Sequence, residues 1–273
     1  MAITTEDGLI AALTGGERRT FFKPSATSEG AGTWHSLWKL AGWPPAGANP
    51  PAYTAGSGYT PTSATTGAIP FTNPTTDAYL GKLGAQGATI GTLIIYDRLW
   101  ACSGFNTTTT PGAQSVTTPG NLPSGRDPNS GDDVEPWLEV YTAPGATTAT
   151  WTLTGVDDDG NPGVTWTYTH PANAETVGQM MPFVLGGTAT RRGCRQVTSL
   201  TCSASSGTAG DIGVTLLRRL AEIPLTAANV GTVLDAIALG LPYVYDDACL
   251  AMMVQCSTTN TGVIMGNLVI AKD

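Results

Sequence analysis

Two runs in this chain alternate strictly between apolar and polar positions. Trp151 and Leu153 alternate with Thr150, Thr152 and Thr154, and Val164, Trp166, Tyr168 and His170 alternate with Thr165, Thr167 and Thr169. A period of two sets the large side chains on one face of a strand and the threonines on the other. The intervening DDDGNPG is turn chemistry, so the two runs predict a β-hairpin. Further strands are expected at Thr92–Trp100, Trp137–Tyr141, Met181–Leu185, Val197–Cys202, Val214–Leu220, Leu250–Cys256 and Val263–Ile270. The run LAMMVQC at 250–256 is nearly all apolar, which predicts a central strand covered on both faces. Short strands separated by Gly/Pro turns predict an all-β fold, a β-sandwich or jelly-roll-like core over residues 88–273.

Residues 1–87 differ in texture. A first helix is expected over Glu6–Leu13, stopped by Gly15-Gly16. A second is predicted by the i, i+3, i+4, i+7 spacing of Trp34, Leu37, Trp38 and Ala41, with Thr33 as N-cap and Gly42 and Pro44 as the stop. Helical spacing recurs at Val230, Val233, Leu234 and Ile237, ahead of Gly240 and Pro242. The stretch WPPAGANPPAYTAGSGYTPTSATTGAIPFTNP forms neither ladder nor long helix. It nevertheless carries Trp43, Tyr53, Tyr59, Ile69 and Phe71, more large apolar groups than a free linker holds. Residues 1–87 therefore read as an extended Pro/Gly-rich N-terminal arm with short helices that lies along a surface, its own or a neighbour's. Trp34, Leu37, Trp38, Trp43, Tyr53, Tyr59 and Phe71 are its candidate partner-interface residues.

Composition narrows the function. Charged residues make up 12% of the 273, against ~25% in an average domain, and there are two histidines. Little material remains for acid–base chemistry, and a surface so poor in charge suits coverage by partners. The net charge is −8, and no basic run exceeds a pair (Arg18-Arg19, Arg191-Arg192, Arg218-Arg219), which argues against a nucleic-acid partner. The acidic N-terminus, MAITTEDGLIAALTGGERR, lacks the pattern of a secretory signal, and no apolar run reaches the ~18 residues of a membrane helix. The expectation is synthesis in a cytosol, no membrane partner, and five unbridged thiols at Cys102, Cys194, Cys202, Cys249 and Cys256.

Candidate chemistry is sparse. Asp157-Asp158-Asp159-Gly160-Asn161 opens like a calcium loop, but Pro162 stands where a Gly is needed and Tyr168 where a bidentate Glu is needed. A hairpin tip is the better reading. Asp132, Asp133, Glu135 and Glu139 contain a formal carboxylate pair, set in a polar loop leading into a strand. His35 and His170 have no nucleophile motif near them, and no phosphate loop, zinc motif or dinucleotide fingerprint is present. The chain reads as a non-enzyme with no catalytic residues, cofactor or metal.

The segment GTLIIYDRLWACSGFNTTTTPGAQSVTTP, with its L-x-x-Y-D-R-L-W core at Leu93–Trp100, resembles a group of phage and prophage virion structural proteins. The segments AGTWHSLWKLAGWPPAGANPP and LRRLAEIPLTAANVGTVLDAIALGLPYVYDDACLAMM resemble the same group. The resemblance implies an auxiliary capsid protein of decoration or cement type. Its partners would be the major capsid protein or neighbouring virion proteins. It would form a homo-oligomer, with a trimer favoured, and be assembled into the virion in the host bacterial cytoplasm. A tail or baseplate structural protein is the alternative within that setting. Outside it, the alternative is a glycan-binding module, with Trp34, Trp38 and Trp43 stacking on sugars although their helical spacing favours packing, or a glycosidase domain using the carboxylates at 132–139.

Overall fold

The computed structural model describes residues 5–272 apart from 27–29, 56–57, 75, 111, 118–119, 124, 128–129, 173–174 and 187–192. The basic pair Arg191-Arg192 thus lies outside the described residues. In chain order the elements are α1 (Glu6–Thr14), β1 (Glu17–Lys23), β2 (Trp34–Ser36), β3 (Ala78–Gly87), β4 (Gly91–Phe105), β5 (Ala113–Ser115), β6 (Glu135–Thr142), β7 (Ala149–Asp157) and β8 (Pro162–His170). They continue with β9 (Gln179–Pro182), β10 (Val184–Leu185), β11 (Cys194–Cys202), β12 (Asp211–Leu225), β13 (Thr232–Leu234), α2 (Ala236–Leu239), β14 (Leu250–Cys256) and β15 (Ile264–Lys272). The fold is all-β, built from antiparallel sheets, as the alternation predicts.

The chain divides into two units, 1–48 with 61–97 and 219–273, and 49–60 with 98–218. The expected boundary after residue 87 falls inside the first. Strands β4 and β12 each run through both, crossing between Asp97 and Arg98 and between Arg218 and Arg219.

In the first unit a four-stranded antiparallel sheet has the order β1-β15-β3-β13. One face buries Phe21, Leu80, Leu83, Ile264, Leu268 and Ile270 against Leu93 and Ile95 of β4, Leu220 and Ile223 of β12, and Leu250, Met252 and Val254 of β14. The run 250–256 is buried along nearly its whole length, as its uniform apolarity predicts. It pairs with β4 on one side and β2 on the other.

In the second unit the order β10-β8-β7-β11-β5 forms a five-stranded sheet, while β6 pairs with β12 and with β9. The predicted hairpin is β7–β8. Trp151 stands opposite Tyr168 and Leu153 opposite Trp166, and Trp151, Leu153 and Trp166 all enter the core.

Where local pattern and structure part, long-range pairing is the cause. The segment predicted as a helix over Trp34–Ala41 is instead β2 followed by turns. His35 lies opposite Val254, and the Leu37 N–H donates to the Met252 carbonyl, so pairing with β14 replaces the helix. Helical spacing at Val230–Ile237 yields β13, paired with β3, and only the single turn of α2, capped by Asp235. The first helix forms as predicted, with the Thr5 hydroxyl accepting from Gly8 N–H.

Described parts of 1–87 belong to the sheets and cores rather than to a separate arm, although Ile10, Phe22 and Trp43 stay exposed. β3 lies between β15 and β13 in the sheet, and Leu37, Trp38, Ile69 and Phe71 are buried in the first unit. Gly47 and Gly67 let chain pass over the Trp38 indole, since a Cβ at Gly47 would lie 2.1 Å from that ring. The indole Nε1–H donates to the Ala48 carbonyl at 2.9 Å. Residues 49–60 belong to the second unit, where Tyr53 stacks on Phe105 at 4.6 Å and Tyr59 exchanges backbone hydrogen bonds with Ala101.

Candidate interaction surface

β1 alternates outward Arg18, Thr20 and Phe22 with inward Phe21 and Lys23. On β15 the outward residues are Met265 and Asn267, and on β3 they are Gly84 and Gln86. Register aligns these into rows across the sheet. One row is Phe22–Met265–Gln86, and the next is Thr20–Asn267–Gly84–Val233. Trp43 extends the first row, because its backbone exchanges two 2.7 Å hydrogen bonds with Phe22.

The outward face is therefore apolar at both sides. Trp43 is 48% exposed, Phe22 43%, Met265 37% and Val233 59%. Between them runs an open groove of about 460 Å³, with Thr20, Gln86 and Asn267 as polar lining and Gly84 at its base. A Cβ at Gly84 would meet Asn267 and Val233 at 3.6 Å, ordinary contact distance, so the groove accepts further atoms. The lower half of the face is occupied by α1, whose Leu13 sits over Gly81. Among the described residues, the exposed large apolar side chains other than Val177 and Val184 all belong to the first unit. Full burial of such a group is worth ~1.5–3 kcal/mol, and the face residues are about half exposed, so covering each contributes roughly half of that and the first unit carries a surface suited to association.

Of the seven residues expected at a partner interface, Trp43 alone stands on this face. Leu37, Trp38 and Phe71 are in the first unit's own core, and Trp34 is half-buried in β2. Tyr53 and Tyr59 are half-buried against β4. Phe22, Met265 and Val233 lacked a sequence signal strong enough to single them out. β1 is not among the expected strands, because ERRTFFK shows no apolar/polar alternation, so the outward step of Arg18, Thr20 and Phe22 comes from the structure alone.

The candidate chemistry is structural in its placement. The Glu139 carboxylate is wholly buried and accepts from Arg98 at 2.6 Å, Tyr141 at 2.8 Å and Thr215 at 2.9 Å. Burial, together with the Glu139 charge, pushes the Tyr141 hydroxyl up. Glu135 accepts from the Trp137 indole, while Asp132 and Asp133 are exposed, so the four carboxylates have different surroundings. Asp97 of the YDRLW segment accepts from the Cys249 N–H at 2.8 Å. His170 stacks on Trp151 at 4.9 Å and hydrogen-bonds Glu175 and the Gly145 carbonyl. His35 is buried beside Thr33, and desolvation lowers its pKa to about 4.

At the hairpin tip, the Asp157 carboxylate accepts from the Asn161 backbone and side-chain N–H groups at 2.8 and 2.9 Å. Burial raises its pKa, and the hydrogen bonds from Asn161, Asp159 and Gly160 outweigh that and lower it. Its oxygens therefore close the turn. Among the described residues no three His, Cys, Asp or Glu side chains are grouped to share a metal ion. All five cysteines are buried free thiols.

No protein-family model and no curated protein matches the chain. Several solved structures are similar to it at a low level. The VP2 subviral particle of infectious bursal disease virus is 8% identical, with 94% of this chain and 80% of that chain covered and a TM-score of 0.23. The T13 particle of the same virus is 10% identical, with 94% and 78% covered and a TM-score of 0.22. A family 11 carbohydrate-binding module of a Clostridium thermocellum cellulosomal cellulase is 11% identical, with 61% and 95% covered and a TM-score of 0.22. At these scores the likenesses carry no argument about fold or role, and the reading of this chain rests on its own residues.

Proposed function

We propose that the protein is a non-enzymatic structural component of a phage virion, a decoration or cement protein that binds the assembled head. One observation carries the reading: the row Trp43–Phe22–Met265 and the adjacent groove leave apolar surface exposed on a well-packed sheet. In a chain with 12% charged residues such a face favours partner coverage over solvation. The resemblance of the Leu93–Trp100 segment to virion proteins supplies the setting. Large aromatic anchors such as Trp43 are among the groups that dominate interface energies. The test is co-sedimentation of the full chain with heads and, separately, with tails of the phage that encodes it. Saturable binding to heads, weakened by at least about tenfold in Trp43→Ala, is the expected result. Binding to tails alone would move the role to the tail or baseplate, and binding to neither would refute a virion role.

The exposed Trp43, set in the row beside a groove lined by Thr20, Gln86 and Asn267, favours one rival, a glycan-binding module. An oligosaccharide that quenches or enhances tryptophan fluorescence in the wild type, but not in Trp43→Ala, is the outcome that selects it.

A further inference from the structure

The sheet β1-β15-β3-β13 ends at β13 and at β1. The β1 edge is covered by Trp43 at Phe22 and, among the described residues, carries no backbone partner at Thr20 and Arg18. The two edges are complementary in geometry. Phe22 gives both its backbone N–H and its C=O to Trp43, so these groups point away from β15. Backbone direction alternates along an antiparallel strand, so the N–H and C=O of Thr20 and Arg18 also point out of the sheet. Thr20 faces Asn267 as a non-hydrogen-bonded pair, which makes Asn267–Gly84 a hydrogen-bonded pair and Gly84–Val233 a non-hydrogen-bonded one. The N–H and C=O of Val233 therefore point outward at the other edge.

The strand number matters as much. With four alternating strands, β1 and β13 run in opposite directions. A second copy can be added in the same orientation, with the same face outward, and its β1 lies antiparallel to β13 of the first. Setting Val233 opposite Thr20 of the partner subunit pairs outward groups with outward groups. The same register sets the exposed Asp235 opposite Arg18 of the partner subunit. In this register Gly231 falls opposite Phe22 of the partner subunit, whose backbone groups already bond the partner's Trp43, so the added ladder is confined to 232–235 against 18–21 of the partner subunit. An isologous β1–β1 pairing centred on Arg19 would instead oppose two arginines.

We propose that the protein self-associates head to tail through this sheet, β13 of one copy adding to β1 of the next. The inference deepens the structural-component reading and rests on it. Such heterologous contacts generate a closed ring when the rotation closes and a filament when it does not.

The test uses the full chain and sedimentation velocity. The wild type is expected to form species larger than a dimer as concentration rises. Thr20→Pro and Val233→Pro each delete an outward N–H that has no place in the intramolecular ladder. Each alone is expected to stop at the monomer, and a mixture of the two to form a one-to-one dimer, since one β1 edge and one β13 edge remain intact. Arg18→Glu, which leaves the backbone unchanged, is expected to weaken association about fivefold or more, and it serves as the readout should a proline variant fail to fold. A wild type that stays monomeric up to about 1 mM, a folded proline variant with wild-type mass, or a mixture that stays monomeric overturns the proposal. A monomeric chain that still binds heads would overturn self-association and leave the virion role standing.

Discussion

Removing residues 1–87 tests whether the N-terminal region is an arm or part of the core. An appended arm would come away and leave a protein beginning at Ala88 that still folds. The structure argues otherwise. The deletion takes β1 and β3, which flank β15 on both sides, and so leaves β15 without a ladder partner and β13 without β3. It also takes Phe21, Leu37, Trp38, Ile69, Phe71, Leu80 and Leu83, seven large apolar side chains no more than 7% exposed. At ~1.5–3 kcal/mol each, their loss removes on the order of 10–20 kcal/mol, as much as or more than the ~5–15 kcal/mol by which a whole domain is stable. The first unit should therefore not form. Hydrogen exchange read by mass spectrometry is the direct assay, with near-UV circular dichroism beside it. Amides of β14 and β15, protected in the full chain, are expected to exchange in the shortened one at rates close to an unfolded peptide. A shortened protein that melts cooperatively with β15 still protected would refute the reasoning.

Glu139→Gln removes the charge from a carboxylate that three buried donors share and leaves Arg98 facing a neutral amide. It is expected to destabilise the protein by ~3–5 kcal/mol in chemical denaturation, while replacing Arg98 and Glu139 together by apolar residues costs less than the single changes added. The pH dependence follows from His35. Its pKa falls from 6.5 to about 4 on folding through desolvation, so between those values the unfolded chain holds a proton that the folded chain lacks. Stability is therefore lost as pH falls from about 6.5 to about 4, by up to ~3 kcal/mol. The slope of denaturation midpoint against pH should flatten in that window in His35→Gln, and an unchanged slope would contradict the assignment.

Some of this protein was legible in the chain because the deciding forces act between near neighbours. The Trp151–Leu153 and Val164–His170 runs state their own faces, and DDDGNPG closes them without outside help. The uniform apolarity of 250–256 marks a covered strand whatever covers it, and Gly15-Gly16 stop α1 locally, while the structure adds Thr5 as its N-cap. Other features were decided by contacts remote in sequence. Trp34, Leu37, Trp38 and Ala41 satisfy helical spacing, yet a short isolated helix is marginal in water, and pairing with β14, more than 200 residues away, wins. The Pro/Gly-rich segment looked extended because its prolines and glycines break continuous ladders and helices, and in the structure it pairs by isolated bridges at Trp43, Ala52 and Tyr59. That Ile69 and Phe71 enter the first unit's core while Trp43 stays exposed was decided by the tertiary packing, in which Gly47 and Gly67 lie against Trp38. The interaction face followed the same rule. Alternation in β1 set Phe22 and Phe21 on opposite sides, and only the strands stacked against Phe21 decided that Phe22 would meet solvent, beside Trp43 and Met265.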